Sequence, residues 1–114
     1  MASFIKYVTF DCADPGRLSA FWSEVTGYEQ ITVGDDFAAL AAPDTRGVRG
    51  ILFWKVPEPK SAKSRMHVDL ASRNPDDEVE RLIGLGAQMV ARREGNEASW
   101  TTMLDPEGNE FCIG

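Results

Sequence analysis

The chain has 114 residues, 43% hydrophobic and 26% charged, which is the make-up of one folded domain and excludes a disordered, coiled-coil or collagen-like chain. Twelve basic against eighteen acidic side chains leave a net charge of −6, so phosphate backbones are repelled and nucleic acid is not an expected partner. No apolar run reaches the roughly 20 residues that span a bilayer, and no basic-then-apolar leader opens the chain, so a cytoplasmic protein with no membrane partner is the expectation.

Phe4 to Asp11 reads as a strand, rich in aromatic and β-branched residues. Asp14 then sits where a helix N-cap belongs, with Pro15 at the first helical position. Leu18, Phe21, Trp22 and Val25 keep the spacing of one buried helical face, and Gly27 supplies a stop. Three strands come next, Tyr28 to Val33, Phe37 to Ala41 and Val48 to Val56, broken at 34–36 and 43–47. Residues 57–65 hold two prolines and no periodic apolar positions, and read as a linker.

After the linker the plan restarts. Met66 to Ala71 is a strand, Asn74 an N-cap, and Pro75 the first residue of a second helix. Asp76, Asp77 and Glu78 suit the positive end of that helix. Val79, Leu82 and Ile83 form its apolar stripe, and Gly86 ends it. Ala87 to Ala91, Ser99 to Leu104 and Asn109 to Ile113 complete the strands. Val8 and Val68, and Asp14-Pro15 and Asn74-Pro75, repeat at an offset of 60; Gly27 and Gly86 repeat at 59, and Asp44-x-x-Gly47 and Asp105-x-x-Gly108 at 61. The sequence is an internal duplication of a β-α-β-β-β unit.

The fold class is therefore α+β. Two βαβββ modules, residues 1–57 and 66–114 around the linker, form one domain: a curved eight-stranded mixed sheet with helices on its outer face. Strand alternation sorts the side chains. Val8, Phe10, Val68, Leu70, Phe111 and Ile113 pack under the helices. Tyr7, Thr9, Asp11, His67, Asp69, Glu110 and Cys112 are left on the concave face.

Three local strings carry a resemblance: Asp11-Cys12-Ala13-Asp14-Pro15 with Phe21-Trp22, then Arg65 to Leu70, and Asp105-Pro106-Glu107-Gly108-Asn109-Glu110-Phe111-Cys112. Together with the duplication, they make the chain resemble the vicinal oxygen chelate superfamily, which includes glyoxalase I, the bleomycin resistance proteins and the extradiol dioxygenases. In the metal enzymes of that superfamily, four side chains on the first and last strands of each half hold a divalent ion. The resemblance puts those positions on Tyr7, the stretch from Leu52 to Trp54, His67 and Cys112. His67 alone is a standard ligand there, so the resemblance implies the fold without the inherited metal site. No cofactor is expected; a weak divalent ion at His67, helped by Asp11, Asp69 and Glu110, is the exception to test.

His67, the one histidine, and Asp69 are the candidate catalytic pair, because residues two apart on a strand share a face and a carboxylate can fix an imidazole tautomer. Tyr7, Thr9, Asp11, Trp54, Glu110 and Cys112 are the candidate ligand-binding residues. Trp100 joins Tyr7 and Trp54 as a candidate aromatic wall for a planar ligand. Lys60, Lys63 and Arg65 either gate an anionic ligand at the pocket mouth or belong to a solvated linker. Cys12 and Cys112 form no CxxC pair and lack zinc-finger spacing, and are expected to be small buried reduced residues in preference to a bridge. The functional expectation is a homodimer binding a small planar or aromatic molecule. The alternatives are a metal-dependent or His-based lyase, isomerase or dioxygenase, and a protein–protein module with no ligand.

Overall fold

The computed structural model describes residues 2–43, 47–96 and 98–114, in two compact units spanning residues 1–59 and 60–114. The first unit runs β1 (Tyr7–Cys12), α1 (Pro15–Thr26), β2 (Glu29–Val33), β3 (Phe37–Ala41) and β4 (Gly50–Lys55). The second runs β5 (Val68–Leu70), α2 (Pro75–Gly84), β6 (Gln88–Glu94), β7 (Ser99–Leu104) and β8 (Glu110–Ile113). The expected strands are all present, in two four-stranded mixed sheets, one per unit, ordered β1-β4-β3-β2 and β5-β8-β7-β6. The first pair in each order is parallel and the other two are antiparallel.

The duplication extends to register. Thr9 pairs with Leu52 in β1 and β4, and Asp69 with Cys112 in β5 and β8, both displaced by 60 positions. Each outer antiparallel pair carries a bulge at the same place, between Gln30 and Thr32 in one unit and between Met89 and Ala91 in the other. A bulge inserts one unpaired residue and reverses the facing of the residues beyond it. The Asp44 end of the repeated Asp-x-x-Gly element lies outside the described residues.

Both helix starts form as their sequences require. Asp14 Oδ1 accepts from the Arg17 N–H at 3.1 Å, and Asn74 Oδ1 from the Asp77 N–H at 3.4 Å. Gly27 closes α1 in the left-handed region, φ 75°, which costs an L side chain strain and glycine little. Leu18, Phe21 and Trp22 are buried beneath α1, and Phe10 stacks between Trp22 and Phe53 at centroid distances of 5.4 and 5.6 Å. In the second unit Val79, Leu82, Met103, Phe111 and Ile113 are buried.

Three expectations need correction. Ile83 is 41% exposed, because it lies about 100° round the helix from Leu82 and off the buried stripe. Gly86, by contrast, ends the second helix as expected: after the Leu85 cap its φ is 115°, and the Gly86 and Ala87 N–H groups donate to the Ile83 and Leu82 carbonyls, both at 3.0 Å. Phe4 and Ile5 precede β1 and are exposed. His67 stands one residue ahead of β5 instead of within it.

The family-like string at 105–112 is a turn built by a buried carboxylate. Asp105 Oδ1 accepts from the Glu107 and Asn109 N–H groups at 2.9 and 3.0 Å, and the Asn109 side-chain amide reaches both its oxygens. Gly108, φ 82°, permits the reversal into β8.

Candidate functional site

The face of the second sheet that carries Asp69 and Cys112 holds a cavity of about 560 Å³. Its position is set by alternation: Phe111 and Ile113 point into the core, so Glu110 and Cys112 point the other way. Register places Asp69 beside Cys112. His67 Nδ1 lies 3.0 Å from Asp69 Oδ1. At that distance the carboxylate faces the Nδ1 side of the ring, and Nε2 is the ring nitrogen turned away from it. One ligand atom from each of His67, Asp69 and Cys112 falls within 4.8 Å of the others.

On the next strand Thr102 stands in register with Cys112, its Oγ1 3.6 Å from Cys112 Sγ. Arg93, on β6, donates from Nε to the same hydroxyl at 3.3 Å. Trp100 and Lys63 also line the cavity.

Glu110 lines the cavity but is held from behind. Lys60 Nζ lies 2.8 Å from its Oε1, and the Ser64 N–H donates to both carboxylate oxygens at 3.2 and 3.1 Å. Burial opposes its ionisation. The hydrogen bonds from Lys60 and Ser64 outweigh that and hold its pKa down to about 2. The expected linker therefore has a fastened end: Lys60 and Ser64 are clipped to the sheet, and Lys63 lies at the cavity.

The structure thus brings together His67, Asp69, Glu110 and Cys112 among the sequence candidates. Tyr7, Thr9, Asp11 and Trp54 belong to the first unit's sheet, on the face away from α1. There Tyr7, Thr9 and Asp11 pair with Gly50, Leu52 and Trp54, and Trp54 packs against Phe37 at 4.5 Å. Neither cysteine is in a disulfide; Cys12 is buried and Cys112 half-buried. Arg93 and Thr102 were not legible as site residues. The strand was expected to end at Ala91, and the bulge around Val90 reverses the facing that a simple count gives Arg93.

Comparison with known proteins agrees with this architecture. Residues 7–114 match the glyoxalase-like domain family. The chain belongs to that family. Its resemblance to the vicinal oxygen chelate superfamily holds in structure as well. A glyoxalase/bleomycin resistance protein/dioxygenase family enzyme from Burkholderia phytofirmans superposes with a TM-score of 0.79 at 24% identity, over 97% of each chain. The fosfomycin resistance protein FosX from Listeria monocytogenes, as a mutant complexed with Mn(II) and dihydroxypropylphosphonic acid, gives 0.79 at 19% identity, over 99% of this chain and 90% of that one. A glyoxalase-related enzyme from Fulvimarina pelagi gives 0.75 at 15% identity, over 98% and 87%. At these identities the likeness is one of fold. Comparison with curated proteins finds no match. Among the described residues no helix is long and apolar enough to cross a membrane.

Proposed function

We propose that this glyoxalase-like protein binds a small planar or aromatic organic molecule in the cavity of its second unit, without the superfamily's usual metal set. The observation that carries the reading is the wall of that cavity, which holds the Trp100 indole on its β7 side and the His67–Asp69 pair on its β5 side. Its volume of about 560 Å³ lies inside the roughly 300–1,000 Å³ range of small-ligand pockets. A flat ligand stacks on the indole, and its polar edge hydrogen-bonds to His67 Nε2. The same nitrogen can take a proton from the bound molecule, which makes His67 the base of any metal-free reaction.

The test is thermal melting of metal-free protein against a panel of planar aromatics. A ligand at 100 times its Kd adds about 2.7 kcal/mol of stability. His67→Ala and Trp100→Ala, both folded, should lose the response. A panel in which nothing raises the melting temperature sinks the proposal. We also propose a homodimer, since each sheet ends in an edge strand with exposed apolar side chains, Ile31 and Val33 on β2, and Met89 and Val90 on β6. Light scattering at the monomer mass of 12.6 kDa and micromolar concentration would overturn that.

One observation favours a second reading, a metal-dependent lyase, isomerase or dioxygenase: the His67, Asp69 and Cys112 cluster. Its donors are one nitrogen, one oxygen and one sulfur. That set does not fit Mn²⁺ or Mg²⁺, which call for several oxygen ligands, and is closer to the preference of Zn²⁺. Zn²⁺ titration against a chromophoric chelator, with Cys112→Ser as control, separates the readings. Retention of one ion per chain by wild type but not by the variant supports the second.

A further inference from the structure

The polar side chains of the cavity form a row across all four strands of the second sheet. Arg93 on β6 donates to Thr102 on β7, Thr102 lies 3.6 Å from Cys112 on β8, and Cys112 stands beside Asp69 on β5, which His67 adjoins. The ends of the row differ in charge. At the β5 end the Asp69 carboxylate faces an imidazole. At the β6 end Arg93 spends Nε on a neutral hydroxyl, which leaves Nη1 and Nη2 as an end-on fork.

Lys63 adds a second cation to the wall. Of the two carboxylates on it, Glu110 is neutralised by Lys60 and Asp69 faces His67. Among the described residues no carboxylate pairs with Arg93 or Lys63. A wall with two such cations is unusual in a chain of net charge −6, and it selects for an anion.

Resting on the small-molecule function proposed for this cavity, we infer that the ligand is a planar organic acid. Its carboxylate lies on the Arg93 fork, with Lys63 nearby. Its ring lies against Trp100, and a hydroxyl at its far end donates to His67 Nε2. From β6 to β5 is three strand spacings of about 4.8 Å each. With side chains reaching inward from both ends, a two-ring acid fills the gap better than a single ring.

The probe is 6-hydroxy-2-naphthoate, compared by calorimetry at pH 7.5 with its uncharged analogue 6-hydroxy-2-naphthamide. Wild type should bind the acid about tenfold tighter than the amide, the scale of a charge-assisted bidentate contact. Arg93→Gln, folded as judged by its melting temperature, should weaken the acid about tenfold and leave the amide within twofold, removing the preference. Equal affinity of wild type for the two probes overturns the inference while leaving the cavity reading intact. So does a preference that survives Arg93→Gln. Failure of both probes to bind wild type overturns this inference and counts against the cavity reading. The acid-to-amide ratio of wild type decides the matter even if Arg93→Gln does not fold.

Discussion

Where β1 meets β4, Thr9 stands opposite Leu52; at the same place in the second unit, Asp69 stands opposite Cys112. Two positions earlier in the chain, Tyr7 and Gly50 in the first unit are replaced by His67 and Glu110 in the second. The strand order, the parallel pair, the bulge and the capped helix are the same in both units. On the strands the side chains toward the helix stay apolar, Phe10 matching Leu70, Ile51 Phe111 and Phe53 Ile113, while those away from it change chemical class. That face does little to hold its unit's core, so it can change without loss of the fold. At these four positions the first unit keeps neutral residues, Tyr7, Thr9, Gly50 and Leu52, and the second collects an imidazole, two carboxylates and a thiol.

The sharpest break in the equivalence is at Gly50 and Glu110. A Cβ added to Gly50 would fall inside the carbonyl oxygen of Leu40, a backbone atom that cannot swing aside. The second unit carries a full glutamate at the matching position. Gly50→Ala should therefore cost about 3 kcal/mol or more in chemical denaturation. Glu110→Ala should leave a folded protein. Similar midpoints for Gly50→Ala and wild type would show that the first sheet relaxes more easily than its geometry suggests.

Next in size is the turn before β8. Asp105 is buried and accepts from two backbone N–H groups and the Asn109 amide. Asp105→Ala removes charge-assisted bonds and strands their donors, so it should cost about 2–3 kcal/mol. Asp105→Asn, which keeps one acceptor oxygen, should recover part of that. Equal unfolding curves for the alanine variant and wild type would mean that Gly108 alone sets the turn.

The helix caps are smaller and symmetric. Asp14→Ala and Asn74→Ala should each lower stability by about 0.5–2 kcal/mol. Asp14 makes the shorter capping bond, 3.1 against 3.4 Å, so its loss should be the larger of the two. Unchanged melting temperatures in both variants would show that neither side chain caps.

These elements were legible in the sequence because each has a local cause. An Asx-Pro pair starts a helix within four residues, and period-two alternation put His67 and Asp69 on one face. β3 and β7 were read to the residue for the same reason. The site was legible only where it rests on that alternation. Arg93 was missed because one unpaired residue in β6 reverses the count, and a bulge has no fixed side-chain signature. The partners of Glu110 were missed because they are a lysine 50 positions away and a backbone N–H, which no spacing rule encodes. Residues 60–64 looked like free linker because their anchor is a carboxylate in the last strand.

That anchor gives the smallest expected effect. Glu110 has a pKa held down to about 2 in the folded protein, against about 4.3 for an unperturbed glutamate. A group whose folded pKa is depressed binds its proton more readily in the unfolded chain. Its stabilisation is therefore complete above about pH 5 and fades as the pH falls from there toward 2. The difference in unfolding free energy between wild type and Glu110→Gln should be flat from pH 5 to 8 and shrink through that acid window. Its plateau should be about 1 kcal/mol or less, since Lys60 is partly exposed and ion pairs of that kind are screened. Half-molar salt should lower the plateau without removing it, because the two bonds from the Ser64 N–H do not depend on the lysine. A difference that stays constant down to pH 2 would mean that Glu110 is not the charged clasp on this segment. The second unit's distinctive face would then owe its order to the His67 side of the cavity alone.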